Sequence, residues 1–297
     1  CALPISEPLT PTQSKFFHKL HGLMFPQNDV LQHPAAKMLL KWATQGCPLD
    51  CGPDWELERM EAAINKAAHP SAQSTEAAKA CRAKAIERLK DKCVRLVRWD
   101  KIKHNPPKNL KISPIAAIPH KSRLFRMILD LSFDIAVNGV KLGSVNDNSN
   151  KDLAPQHAMF ELGNVIPRLV WALATARRDV PVLFSKIDLK DGYWRMCVSA
   201  DDAWNFAYVL PKLNENEPTV LVVPDALQMG WSESPPFFCA ATETARDVAI
   251  KTFQDSTEIP EQPLEHIILD SVKSKLLPDR KSTRLNSSHT VISYAVF

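Results

Sequence analysis

The chain has 297 residues, 45% of them hydrophobic and 24% charged, with a net charge of +4 and a mean hydropathy of −0.20. This composition supports one or two globular domains with a real core and argues against a membrane helix, because no run approaches the roughly 20 apolar residues needed to cross a bilayer. No signal peptide is visible and the seven cysteines form no framework, so an intracellular chain, in the cytoplasm or nucleus and not secreted, is expected.

Residue 1 is Cys rather than Met, so the true start is expected upstream. Residues 1–30 are rich in Pro and polar residues without a long period, and a loose segment is expected there. "PAAKMLLKWAT" (34–44) reads as a short helix stopped by Gly46 and Pro48. Cys47 and Cys51 are a close pair with no second His or Cys pair nearby, so a structural zinc site is not expected. "PDWELERMEAAINKAA" (53–68) is a second helix: Pro53, Asp54 and Glu56 suit its start, and Trp55, Met60 and Ile64 give it an apolar side. A third helix is predicted over 74–97, where Ile86, Leu89, Cys93 and Leu96 recur at steps of three and four, with a Lys, Arg and Glu face toward solvent.

The texture changes at 101. Lys101, Lys103, Lys108, Lys111, Lys121, Arg123 and Arg126 occur with no acidic residue before Asp130, and Pro106, Pro107, Pro114 and Pro119 exclude a continuous helix. "SPIAAI" and "RLFRMILDLSF" predict a hairpin around the basic turn "PHKSR". Clustered like charges repel one another and favour an anionic partner; a solvated edge is the plainer alternative.

Residues 138–155 read as a polar loop and 165–176 as an apolar helix, with Val165, Leu169, Ala172 and Leu173 on or near one face. "VPVLFSKIDL" predicts a central strand, "KDGYW" a turn, and "SADDAW" a short helix with Ser199 and Asp202 as a capping pair. "NFAYVLP" and "TVLVVP" predict a second hairpin. "MGWSESPPFFCAATETARDVAIKTF" predicts a turn feeding a helix, with Ser234 as N-cap, Pro235 in the first turn, and Phe237, Phe238, Ala241, Ala245 and Val248 toward the sheet. This order fits an α+β fold with helices on one face of an antiparallel sheet.

"FSKIDLKDGYWRM" (184–196) places Asp188 at the end of the predicted central strand, where an unpaired buried carboxylate is costly. The residues leave three roles open: pairing with Lys186 or Arg195, capping the turn through the amides of Asp191 or Gly192, or holding a divalent cation.

Taken in order, "IPHKSRLFRMILDLS", "FSKIDLKDGYWRM" and "LQMGWSESPPFFCAATETARD" resemble the fingers hairpin, the first palm motif and the following glycine turn and helix of a reverse transcriptase (an RNA-directed DNA polymerase) of a retrotransposon. The resemblance covers residues 112–247. It implies a right-hand polymerase fingers/palm fragment over 101–278, with an antiparallel palm sheet and helices on one face, preceded by a helical region at 31–100. It also implies that Asp188 is the catalytic aspartate bridging two Mg²⁺ ions (or Mn²⁺), and that the Leu189 carbonyl is a secondary metal contact. Lys121 and Arg126 would grip the triphosphate. Tyr193 would exclude a 2′-hydroxyl, with simple palm packing as its alternative. Met229 and Gly230 would lie against the nucleotide, and Lys108, Lys111 and Arg123 would contact nucleic acid. The implied partners are an RNA or DNA template with primer and deoxynucleoside triphosphates.

The family's next motif, an aromatic residue, one variable residue and Asp-Asp, does not occur between 231 and 278, and "ILDS" (268–271) does not supply it. Binding without turnover is therefore expected of this chain. The alternative is a non-catalytic nucleic-acid-binding or interaction module, a degenerate retroelement remnant. A nucleotide cyclase would share the sheet and carboxylates, but "KIDLKDGY" with "MGWSESP" argues against it. Finally, "DRKSTRLNSSH" (279–289) and "ISYAVF" (292–297) resemble the direct translation of a sequencing-library adapter. Residues 279–297 are therefore expected to be read-through that contributes nothing to the fold.

Overall fold

A computed structural model describes residues 33–66, 68–121, 124–159, 165–176, 184–185, 189, 191–255 and 294–295. Helix α1 (Ala36–Gln45) ends at Gly46, as the sequence predicts. Helix α2 (Leu57–Lys66) follows, and α3 (Thr75–Lys90) starts at Ser74, whose hydroxyl accepts from the Ala77 amide.

The predicted continuation of α3 to residue 97 does not form. Lys92 takes a left-handed backbone (φ +58), and "VRLVR" becomes strand β1 (Val94–Arg98). Its period-two apolar pattern suits a strand, and Val94 and Leu96 are buried. The side that α3 buries is also not the predicted one. Ala77, Ala78, Cys81, Ala85 and Arg88 face inward, so the basic face is only partly solvated. A short helix, α4 (Trp99–Ile102), follows β1.

The main sheet is antiparallel in the order β1, β8 (Val220–Pro224), β7 (Tyr208–Val209), with Leu96 opposite Val222 and Val209 opposite Leu221. β8 is buried along its whole length and its period of two feeds both faces. Leu221 and Val223 enter the larger core, whereas Val220 and Val222 meet Ala85, Val94, Leu96 and Leu210 in a smaller one. Each such Val or Leu contributes roughly 1.5–3 kcal/mol by burial. α1 and α3 pack into these cores and β1 into the sheet, so described residues before 100 share cores with residues after it.

The larger core contains an aromatic chain. Trp42 of α1 meets Phe237 of α6 (Ser234–Asp255) edge-on at 4.9 Å, Phe237 stacks on Trp231 at 6.0 Å, and Trp231 meets Phe206 at 5.4 Å. Phe237, Phe238 and Val248 are buried as predicted, with Ala241 and Ala245 partly so. Ser234 is the first residue of α6, and its hydroxyl donates back to the Gln228 carbonyl. Ser199 accepts from the Asp202 amide at 3.0 Å, as expected of a cap.

The basic hairpin forms as β2 (Ile115–Pro119) and β3 (Phe125–Leu129). A second hairpin, β4 (Ala136–Val137) with β5 (Val140–Lys141), lies in and beside the stretch read as a polar loop. Asn138 and Gly139 both have positive φ, the turn chemistry of a two-residue hairpin loop. Helix α5 (Val165–Thr175) forms, but Val170, Trp171 and Leu173 on it are exposed. Of the predicted central strand, β6 (Phe184–Ser185) is described, and it pairs antiparallel with β9 (Tyr294–Ala295) of the tail. Among the described residues, this short ladder is where the tail meets the rest of the chain. Such a ladder needs only backbone donors and acceptors, which an open strand edge offers to any segment. No described helix is long and apolar enough to cross a membrane.

Candidate functional site

The 228–232 turn lies against the exit of the basic hairpin. Arg126 stands on β3 opposite Ile118, and its Nη2 reaches the Met229 sulfur at 3.0 Å. Gly230 has φ +107, and a Cβ there would sit 2.5 Å from the Leu129 carbonyl oxygen of β3. Only glycine lets the turn lie this close. Asn146 ties the pieces together. Its side-chain amide donates to the Gly230 carbonyl and the Ser132 hydroxyl, both at 2.8 Å, while its Oδ1 accepts from the Ser232 amide at 3.0 Å. Its own backbone amide donates to the Leu131 carbonyl. Three residues predicted to bind nucleotide, Arg126, Met229 and Gly230, are therefore brought together.

Tyr193 packs against α6, the helix that follows this turn. Its ring meets Phe238 edge-on at 5.3 Å, and burial pushes its phenol pKa up. The contact is the packing role that stood as the alternative for this residue. A Cβ on Gly192 would lie 2.7 Å from the tip of the Phe238 ring, so the ring as placed rests against a residue with no side chain. The Leu227 amide donates to the Met196 carbonyl, and Cys197 bridges Ala226 in antiparallel fashion. These bonds join the segment after Tyr193 to the one that leads into Met229 and Gly230.

The turn after Asp188 is held from α3. Asp191 has φ +57, and its carboxylate accepts from Arg88 Nη2 at 2.6 Å, while the Arg88 guanidinium lies 4.6 Å from the Trp194 ring. Asp188 itself lies outside the described residues, as does Arg123. Leu189 is described and exposed.

The basic residues separate. Lys108 and Lys121 are exposed. Lys111 departs from its expected role on a nucleic-acid surface: it is 1% exposed, and its ammonium donates to Asn205 Oδ1 at 2.7 Å and to the Gly52 carbonyl at 3.2 Å. Residues 110–113 are drawn inward because the Lys111 amide donates to the Trp204 carbonyl and Ile112 bridges Ala207 in parallel. Burial lowers the Lys111 pKa, with Cys51 and the Asp54 and Asp50 carboxylates opposing.

Arg88 and Asn146 were not found from sequence. Arg88 sits in a Lys/Arg/Glu-rich stretch that looks solvated, and Asn146 meets partners 84 and 86 residues away. No local signal marks either.

Among the described residues, no three His, Cys, Asp or Glu side chains converge to hold a metal ion. The Asp191 carboxylate is committed to Arg88. The arrangement presents the Arg126 guanidinium beside an exposed turn whose Gly230 has no Cβ, and, against α6, the half-buried Tyr193 phenol. Compared with known proteins, the chain matches no family model and no curated protein.

Proposed function

We propose that the chain is a fingers/palm portion of a right-hand polymerase, an RNA-directed DNA polymerase of retrotransposon type, which binds primer–template and a deoxynucleoside triphosphate. The observation that carries this reading is the contact of Arg126 with the Met229–Gly230 turn across 103 residues of chain. It joins two segments that the motif order assigns to one nucleotide. Arg126 and Lys121 would meet the triphosphate, and the Tyr193 ring would meet the sugar. In the reaction, a primer 3′-hydroxyl attacks the α-phosphate and pyrophosphate leaves. A divalent cation bound at Asp188 and the Leu189 carbonyl would supply charge neutralisation there. Positioning and electrostatics carry most of such a reaction.

No Asp-Asp pair follows Trp231 in the sequence, and one carboxylate does not hold two cations about 4 Å apart against their repulsion. This favours a second reading, a nucleic-acid-binding module without turnover. Primer extension with labelled deoxynucleotides separates the two. The chain alone should bind primer–template and extend it negligibly, and the chain joined to a downstream segment bearing an aromatic-x-Asp-Asp motif should extend it with Mg²⁺. In that longer protein, Asp188→Asn should abolish extension and leave binding nearly unchanged. Normal incorporation by the Asp188→Asn protein overturns the assignment, and no incorporation by the longer protein with Asp188 intact favours the module.

A further inference from the structure

We propose that Asn146 is a positioning residue for nucleotide binding: it fixes the Met229–Gly230 turn against β3 and thereby fixes where Arg126 stands. The inference rests on the polymerase reading and adds to it a residue outside the three motifs that carry the resemblance. Asn146 lies in a polar loop, yet both ends of its side chain are used. The amide nitrogen donates to the Gly230 carbonyl and to the Ser132 hydroxyl, and the oxygen accepts from the Ser232 amide. The Gly230 carbonyl and the Ser232 amide flank Trp231, whose indole is buried and donates to the Ser149 hydroxyl at 2.9 Å. Ser149 in turn donates to the Val145 carbonyl. The loop at 145–149 therefore grips the turn at two depths, Trp231 in the core and Gly230 at the surface. On the near side, the Asn146 backbone is held to Leu131, two residues beyond β3.

The consequence concerns Arg126. The Met229 thioether is a weak acceptor, so the sulfur contact alone cannot hold the turn beside the guanidinium. Gly230 gives the turn room to approach Leu129 but no side chain with which to stay. At the surface the directional bonds that keep the turn there come from Asn146, while Ser149 holds the Trp231 indole below it. Substituting Asp at this position keeps an acceptor for the Ser232 amide and removes the donor to Gly230, placing a carboxylate oxygen against a carbonyl oxygen. The Gly230 end is then released while the Ser232 end stays held.

The test uses the full chain with primer–template, Mg²⁺ and a deoxynucleoside triphosphate carrying a fluorophore on its base, read by anisotropy. Asn146→Asp should weaken triphosphate binding about tenfold, as Arg126→Ala should, and the double variant should be no more than about twofold weaker than either single one, because both act through one contact. Primer–template affinity should change by less than about twofold, since exposed lysines carry it. Amide exchange at Ser232 should stay slow in Asn146→Asp and rise in Asn146→Ala, which confirms that the Asp variant is folded with one end of the clasp closed. Triphosphate affinity equal to the parent in Asn146→Asp, or losses that multiply in the double variant, overturns the proposal alone. A parent chain that binds primer–template but no triphosphate overturns the polymerase reading, and the proposal falls with it.

Discussion

Arg88 and Asp191, 103 residues apart, are joined by a 2.6 Å ion pair whose cation is almost fully buried and whose anion is about one-third exposed. The pair links helix α3 to the turn that follows the predicted metal-binding strand, and the guanidinium also covers the Trp194 ring. Arg88→Met keeps the aliphatic bulk and removes the charge. Breaking a buried pair costs about 3–5 kcal/mol, and because Asp191 can turn to water the loss should be smaller, about 1–3 kcal/mol. Urea denaturation measures it, and an unchanged midpoint at equal slope shows that the pair adds nothing.

Two glycines with left-handed backbones should respond differently to alanine. At Gly139 (φ +79) an added Cβ meets nothing within 4 Å, whereas at Gly230 (φ +107) it lies 2.5 Å from the Leu129 carbonyl. Gly139→Ala should cost only the backbone strain, about 1–2 kcal/mol. Gly230→Ala adds a clash with backbone that cannot move aside and should cost distinctly more, together with triphosphate binding. Equal losses in thermal unfolding would show that the turn does not press on β3.

Local chemistry marked what local chemistry fixes. The α1 stop at Gly46, the Ser199 cap, the β2–β3 hairpin and the helix beginning at Ser234 all rest on residues within one turn of the feature. Where tertiary contacts decide, the sequence was silent or misleading. The stretch at 94–97 fits a helical stripe as well as a strand, and pairing with β8 selects the strand. Lys111 looks like one more surface lysine until Asn205 and Gly52 enclose it. The Asn138–Gly139 dipeptide carries the hairpin-turn signal, but the two strands it joins are only two residues long each and show no apolar alternation.

Lys111 and Lys121 therefore predict opposite behaviour. Lys121→Ala should reduce the salt dependence of primer–template binding by about one counterion, because each neutralised phosphate releases one. Lys111→Met should leave that slope unchanged. Its effect belongs to stability against pH. Burial lowers the pKa of Lys111 below its ordinary 10.5 in the folded chain, so the unfolded chain binds more protons between the two values. Stability then rises with pH across that window, and the rise should vanish in Lys111→Met. A parallel pH profile for the two proteins would place the ammonium in water.

Deleting residues 279–297 removes one two-residue ladder among the described contacts, between Tyr294–Ala295 and Phe184–Ser185. Such a ladder adds little, because each hydrogen bond nets only about 0.5–1.5 kcal/mol and the ordering of the tail opposes it. The shortened chain should unfold within about 1 kcal/mol of the full one. A loss above about 2 kcal/mol, the scale of a genuine packing defect, would make the tail part of the structure.

At Tyr193 the observed packing and the proposed selectivity share one ring, and two variants separate them. Its ring lies edge-on to Phe238, and the proposed gate uses that same ring to occupy the space of a 2′-hydroxyl. Tyr193→Phe keeps the ring, so in the longer, extension-competent protein it should still reject ribonucleotides. Tyr193→Ala removes it and should admit them, while costing about 1–3 kcal/mol as a partly buried ring is lost. The hydroxyl is visible only through pH. Burial raises the phenol pKa above its ordinary 10, so the folded chain keeps a proton that the unfolded chain gives up. Stability is then fully present below pH 10 and is lost as pH rises through the folded pKa. That alkaline loss should be absent in Tyr193→Phe. Continued exclusion of ribonucleotides by the Ala variant would leave Tyr193 as packing alone and remove it from the nucleotide site.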